Sequence, residues 1–441
     1  MRKLQLWKVA ILALAIVWLF VSYKILLGSK YSLHSNAANE DRIGYLQDEQ
    51  SKKDNSDSVV GRLGGDNQDF KNGNWTMRDA VIAELKSKYR LNFDFPLQDT
   101  PWEVAAQWVK QREIHPEYAP ELGSILHALA TQKIVSADFG IKGTQLKMSV
   151  ILEGGQMAIF KPKWFSRDHV IKGSPYGGAD RHNGEIAAFH LIRLLEFRRA
   201  PLVVGRRVSM KKEIMPVATD RLLQTFYSIN GSTCFYGRCY YCKDNTTGVC
   251  ADGDIMEGAL VMWLPKQWKL KMYKHPWARS YHKGKLARWE KDPEYCDKVK
   301  VTEPYHSGPR LMDLVDTCII DYLVGNADRH LIETLGTQSD SMVTMIDNGK
   351  SFGNPNHDEF SILAPLYQCC RIRYNTWEKL LIMQEGVLSQ VLRSVLKQDP
   401  ISPVISEPHL QALDRRLKTI LEQVQACLQK NPKNVLVKDD L

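Results

Sequence analysis

The chain has 441 residues, 44% hydrophobic and 25% charged, with a formal net charge of +9. That balance belongs to a globular protein and excludes a disordered or fibrous one. The 59 basic and 50 acidic residues are interspersed, with no block of five like charges, so nucleic acid is not an expected partner.

Residues 9–27 are apolar except at Ser22, Tyr23 and Lys24, and follow Arg2, Lys3 and Lys8. As a helix they span roughly 28 Å, the thickness of a bilayer's hydrocarbon core. Basic residues in front of the span favour a cytoplasmic segment 1–8, a signal-anchor over 9–27 and a lumenal remainder, a single-pass type II arrangement. A cleaved signal peptide is the rival, because Gly28 and Ser29 follow the run. Residues 28–74 are rich in Ser, Asn, Asp and Gly and read as a flexible stem. Order is expected from about residue 75, with one unit over 75–260 and a second over 261–441.

Within 139–163, a β-branched run at 145–152, a Glu153-Gly154-Gly155 turn and a second run at 157–160 predict a hairpin that ends on Lys161. Residues 180–195 carry a helical stripe that includes Ile186, Phe189 and Leu194. A stronger stripe at 311–324 stops at Gly325, and the chain then turns through Asp328-Arg329-His330. A short apolar strand at 342–346 runs into Asp347-Asn348-Gly349.

Nine cysteines crowd the C-terminal half, and Asn-x-Ser/Thr glycan acceptors stand at Asn74, Asn230 and Asn245. Cys239 and Cys242 have the spacing of half a zinc ribbon, but no second pair follows closely, and an oxidising lumen favours disulfides. Cys318, inside the 311–324 stripe, is the natural one to stay buried and free.

Phosphoryl transfer needs a cation on the nucleotide phosphates, acids for a metal and a carboxylate to take a hydroxyl proton. Lys161, Asp180, Asp328 and Asp347 supply these in the chain order of a kinase, with a spacing of 19 residues from Asp328 to Asp347. Each has a bland reading: a solvated strand end, a helix cap, an ion-paired loop and a hairpin turn. Their order in context carries the argument. A Gly-rich phosphate loop of the ordinary type is absent, which argues against a standard cytosolic kinase. The aromatics Tyr236, Tyr240, Tyr241 and Trp263 can either stack on a sugar or fill the core.

From about residue 97 onward the chain resembles the secretory-pathway kinase family that includes the Golgi casein kinase. The likeness is carried by Pro-Trp-Glu-Val-Ala-Ala-Gln-Trp at 101–108, Lys-Gly-Thr-Gln-Leu-Lys at 142–147, Phe-Lys-Pro at 160–162 and Asp-Arg-His-Asn at 180–183. Further matching segments are Cys-Phe-Tyr-Gly-Arg-Cys-Tyr-Tyr-Cys at 234–242, Gly-Asn-Ala-Asp-Arg-His at 325–330 and Pro-Leu-Tyr-Gln-Cys-Cys at 365–370. The resemblance implies an α+β, atypical two-lobed protein-kinase-like fold with a disulfide-bonded C-terminal lobe, here preceded by the anchor and stem.

It also implies roles. Gln145 and Lys161 bind the nucleotide phosphates; Val261, Met262, Trp263 and Leu264 form the hinge to adenine; Asp328 is the catalytic base. Glu333 stands where standard kinases use Asn, Asp347 holds Mn2+ or Mg2+, and Asp180 is an acidic metal-linked residue at the start of an αC-like helix. The implied disulfides are Cys234 with Cys250, Cys239 with Cys242, Cys296 with Cys369, and Cys370 with Cys427. The activity implied is transfer of the ATP γ-phosphate to the 2-hydroxyl of xylose in the proteoglycan linkage-region glycan, at the Golgi membrane. A homo-oligomer or a pairing with a related kinase is compatible with it, as are a secreted-protein Ser kinase and an inactive activator. One departure stands out: Leu331 and Ile332 replace the family's second His and Tyr after Asp328-Arg329-His330.

Overall fold

The computed structural model describes residues 77–438 except 141, 142, 283 and 339. The anchor, the stem and Asn74 lie outside the described residues. Among the described residues no helix is long and apolar enough to cross a membrane.

The chain enters through α1 (Met77–Lys88), α2 (Pro101–Trp108) and α3 (Leu122–Thr131). Thr100 starts α2 through a capping box: its side chain accepts from the Glu103 N–H while Glu103 accepts from the Thr100 N–H. Five antiparallel strands follow: β1 (Ile134–Phe139), β2 (Met148–Leu152), β3 (Met157–Pro162), β4 (Val203–Ser209) and β8 (Ile255–Met262), in the order β1-β2-β3-β8-β4. The β2–β3 hairpin turns on Glu153-Gly154-Gly155 as expected, with both glycines at positive φ. Strand β8 crosses residue 261, and the chain leaves the sheet after Met262. Between β3 and β4 runs α4 (His182–Leu194), every residue buried, packed on β4 and β8. It begins two residues later than the stripe suggested, because Asp180 is held out of it by other partners.

A small sheet of β5 (Phe226–Ile229), β6 (Ser232–Phe235) and β7 (Val249–Cys250) is closed by Cys234–Cys250, with Cys239–Cys242 beside it. The second of these is a disulfide, so the zinc reading falls. Asn230 and Asn245 are exposed here, as a glycan requires.

The helical remainder is built on α5 (Arg310–Val324), buried along its whole length. It ends at Gly325, whose φ of 72° makes the left-handed cap that the sequence announced. β9 (Leu270–Lys274), β10 (Leu331–Leu335) and β11 (Val343–Thr344) form a three-stranded sheet beside it. β11 is shorter than the 342–346 run predicted. α6 (Ala364–Cys369) packs on α5, α7 (Tyr374–Ile382) follows, and α8 (Val387–Leu396) and α9 (Glu407–Lys430) pack on each other. Cys296–Cys369 and Cys370–Cys427 staple this region, and Cys318 is buried and free.

The Cys370–Cys427 pair spans 57 residues. Replacing both by Ser is expected to cost about 2–4 kcal/mol, because the unfolded chain regains the entropy of an open loop. Denaturant unfolding of the double variant checks this, and a loss under about 1 kcal/mol would show that the packing of α6 on α9 suffices alone.

Candidate active site

Lys161 lies next to last in β3, paired with Ala259, and its side chain is buried. A buried ammonium needs anionic partners, and it has three: Glu185 Oε1 at 2.5 Å, Asp347 Oδ1 at 2.8 Å and Asp180 Oδ2 at 3.4 Å. Burial opposes its charge, but Asp347, Glu185 and Asp180 together hold the Lys161 pKa well above the usual value. Asp347 is pulled below the carboxylate range by Lys161. Glu185 is raised by burial, which Lys161 only partly offsets.

Three elements deliver these acids. Glu185 sits in the first turn of α4. It was not foreseen from the sequence, although an acid one turn from Phe189 on a buried helix face was a usable signal. Asp180 does not cap α4: its Oδ2 faces Lys161 and its Oδ1 faces Lys350 Nζ at 3.3 Å. Asp347 follows β11 with φ 59°, a left-handed conformation that Asp tolerates. Gly349 is required by contact, since a Cβ there would come within 2.6 Å of Asp180 Cγ. The Asp347-Asn348-Gly349 turn therefore closes on Asp180 and is no ordinary hairpin.

Arg329 joins this turn to the Asp328 loop. It donates to both oxygens of Asp321 at 2.9 and 2.8 Å, to Asn348 Oδ1 at 2.9 Å and to the Ile346 carbonyl. Asp328 is fixed from behind by its own N–H, which donates to Asn326 Oδ1 at 3.1 Å. Burial raises the Asp328 pKa against the opposing effects of Tyr281, Lys350 and His330. Glu333, on β10 opposite Thr344, is raised by burial and by Asp347. Ile332, one residue earlier, faces the other way into a core with Trp277, Trp289 and Val343. The departure at that position is thus a core residue.

The other expected positions lie around this cluster. Gln145 is half-buried in the β1–β2 loop. Two residues on, Lys147 covers Gly140 and Gly143: a Cβ on Gly140 would meet Lys147 Cγ at 2.4 Å. Burial and the charge of Lys161 lower the Lys147 pKa, so a second lysine, unnoticed in the sequence, faces the same anionic site. Val261 and Met262 close β8, pairing with Ile159 and Ala158. The Trp263 N–H donates to the Met157 carbonyl and its own carbonyl accepts from Gln156, which leaves Leu264 as the first hinge residue without those ties.

The donors are hard oxygens, which suit Mn2+ or Mg2+. Among the described residues no three His, Cys, Asp or Glu side chains form a complete metal cage. A cation bound by one or two carboxylates and completed by substrate phosphates fits this arrangement, and Asp180 and Asp347, both on Lys161, are acids that could hold it.

The family model described as "Golgi casein kinase, C-terminal, Fam20" matches residues 100–435. A Homo sapiens protein named glycosaminoglycan xylosylkinase is 58% identical over 361 residues, 81% of this chain and 88% of that one. A solved structure titled as hydra Fam20 with sugar superposes with TM-score 0.76 at 46% identity, covering 78% of this chain and 100% of that one. The Golgi casein kinase solved with Mn/ADP bound superposes with TM-score 0.74 at 29% identity, covering 88% and 97%. The matched span and these identities make the chain a member of the Fam20 family.

Proposed function

We propose that this protein is a phosphotransferase that moves the γ-phosphate of ATP to the 2-hydroxyl of xylose in the proteoglycan linkage-region glycan. The observation that carries it is Lys161 bound by Glu185, Asp180 and Asp347, with Asp347 and the Asp180 partner Lys350 also acting on Asp328. The relative named xylosylkinase and the neighbours titled with sugar and with Mn/ADP support the choice of acceptor, nucleotide and metal.

In this reading Lys161 and Gln145 orient the phosphates, residues 261–264 hold adenine, and Glu333 lines the nucleotide. Asp180 and Asp347 hold Mn2+ or Mg2+, which neutralises charge on the phosphates when bound. The acceptor oxygen bonds to the γ-phosphorus, the bond to the bridging oxygen of ADP breaks, and Asp328 takes the hydroxyl proton. The four disulfides fit an oxidising lumen. With the apolar run at 9–27 they support a type II Golgi membrane protein with its catalytic part lumenal.

The test offers the purified protein a xylose-bearing linker glycan and an acidic Ser peptide, with ATP and Mn2+. Label is expected on the glycan. Label on the peptide alone would make it a protein kinase on the same machinery.

A further inference from the structure

Asp328 accepts a hydrogen bond from a side chain that the reaction scheme does not use. The Tyr281 hydroxyl lies 2.6 Å from Asp328 Oδ1. It also lies 3.2 Å from His330 Nδ1, which itself donates to the Asp328 carbonyl at 2.8 Å. A phenol has one proton, and the shortest contact assigns it to the carboxylate. Tyr281 is otherwise in the open, 43% exposed, with its ring edge-on to Tyr176 at 4.7 Å and to His330 at 5.6 Å. It belongs to the loop after β9, which Arg279 ties to Glu359 and Ser361. Glu359 in turn lines a cavity of about 320 Å³ with Lys172, Ser174, His357, Ile171 and Pro175, a mixed wall of polar groups and apolar surface such as a sugar ring also presents. Residues 171–175 of that wall lead directly into Tyr176.

A catalytic base must receive a hydrogen bond from the hydroxyl it deprotonates. In this structure a phenol occupies one of the two carboxylate oxygens of Asp328. We propose that Tyr281 is an acceptor-positioning residue: its hydroxyl holds Asp328 Oδ1 until a sugar hydroxyl displaces it, and its ring then takes the face of the bound pyranose. Tyr176 fixes the plane of that ring. Burial and the contact with Asp328 push the Tyr281 pKa far up, so it remains a donor and does not compete for the acceptor's proton. The groups acting on Asp328 are Tyr281, Lys350 and His330, which favour its charge, and Asp347, which opposes it. Loss of the phenol therefore raises the Asp328 pKa.

The proposal rests on the phosphotransfer reading above, and its test separates the two. Full-length wild type, Tyr281→Phe and Tyr281→Ala are compared on a xylose-bearing linker glycan and, without acceptor, in ATP hydrolysis across pH. Tyr281→Phe keeps the ring, so the glycan KM stays near wild type while the acidic limb of kcat/KM moves to higher pH. Tyr281→Ala raises the glycan KM about 10-fold, with the ATP KM unchanged. An unmoved acidic limb in Tyr281→Phe together with an unmoved glycan KM in Tyr281→Ala overturns the proposal and leaves the kinase standing. If wild type fails to label glycan, the acceptor assignment falls, and the acidic limb of ATP hydrolysis still decides the Tyr281–Asp328 contact: unmoved, it overturns that too.

Discussion

Asp347→Ala is expected to lower phosphotransfer by about 10²–10³-fold while leaving the protein folded. The two halves of that expectation come from the same geometry. Asp347 is the one partner of Lys161 whose side chain is open to the cleft, 75% exposed, whereas Glu185 and Asp180 are enclosed. Without Asp347, Lys161 still has Glu185 at 2.5 Å, so no buried charge is orphaned and the thermal midpoint should barely move. In the proposed mechanism, what disappears is the acid that shares Lys161 with Asp180 where the phosphates and the cation would bind. A cation held by two carboxylates and substrate phosphates then has one protein ligand left. Asp347→Asn should behave alike, since an amide retains size but not charge. Phosphate transfer to the glycan and a thermal melt measure both halves. Transfer within 10-fold of wild type, with folding intact, would remove Asp347 from the mechanism.

The sequence made strand ends and turns legible, because their signals are local. Lys161 at the end of an apolar run, Gly325 after a helical stripe and Asp347-Asn348-Gly349 after a strand all stand where local chemistry put them. The partners that give these residues their character are distant in the chain. Glu185 is separated from Lys161 by 24 positions and hidden in a helix read for its apolar stripe. Lys350, Lys147 and Tyr281 carry no pattern of their own, and only tertiary folding brings each to Asp180, Lys161 or Asp328. The β11 strand was overestimated because Met342 and Met345 are apolar for packing, both fully buried outside the strand. The helix α5 shows the same limit most fully. Its apolar stripe announced a helix with one buried face, yet the acids Asp313, Asp316 and Asp321 between the stripe positions are buried as well. A stripe reveals which side faces a core and says nothing of arginines that cover the other side.

Those arginines make Asp313 the position where a single substitution should cost most stability. Asp313 is wholly enclosed, and its carboxylate accepts from Arg112 through two bonds of 2.8 Å and from Arg373 at 2.8 Å. Arg199 approaches it at 3.0 Å and reaches Asp316 at 2.8 Å. The Val343 N–H donates to it as well, at 3.0 Å. One carboxylate thus joins the segment before α3, the approach to β4, strand β11 and the turn into α7. Although burial opposes its charge, these arginines hold the Asp313 pKa well below the usual carboxylate value of 3.8. A depressed folded pKa means that the contribution is complete above that ordinary value and is lost as pH falls through the folded one. Asp313→Ala removes the carboxylate that Arg112, Arg199 and Arg373 share and leaves Asp316 to serve both Arg199 and Arg373, so the expected loss is about 3–5 kcal/mol. That corresponds to a fall in thermal midpoint on the order of 10 °C near neutral pH. The substitution should also flatten the acid side of the stability curve, because a proton-linked term has been removed. Since β11 leads directly to Asp347, activity should fall with it at temperatures where the fold still holds. Arg112→Ala is the milder comparison, because Asp313 keeps Arg199, Arg373 and the Val343 N–H, and the Arg112 side chain removed is 22% exposed. A loss for Asp313→Ala no larger than for Arg112→Ala would show that the network is dispensable and that apolar packing around α5 carries the stability.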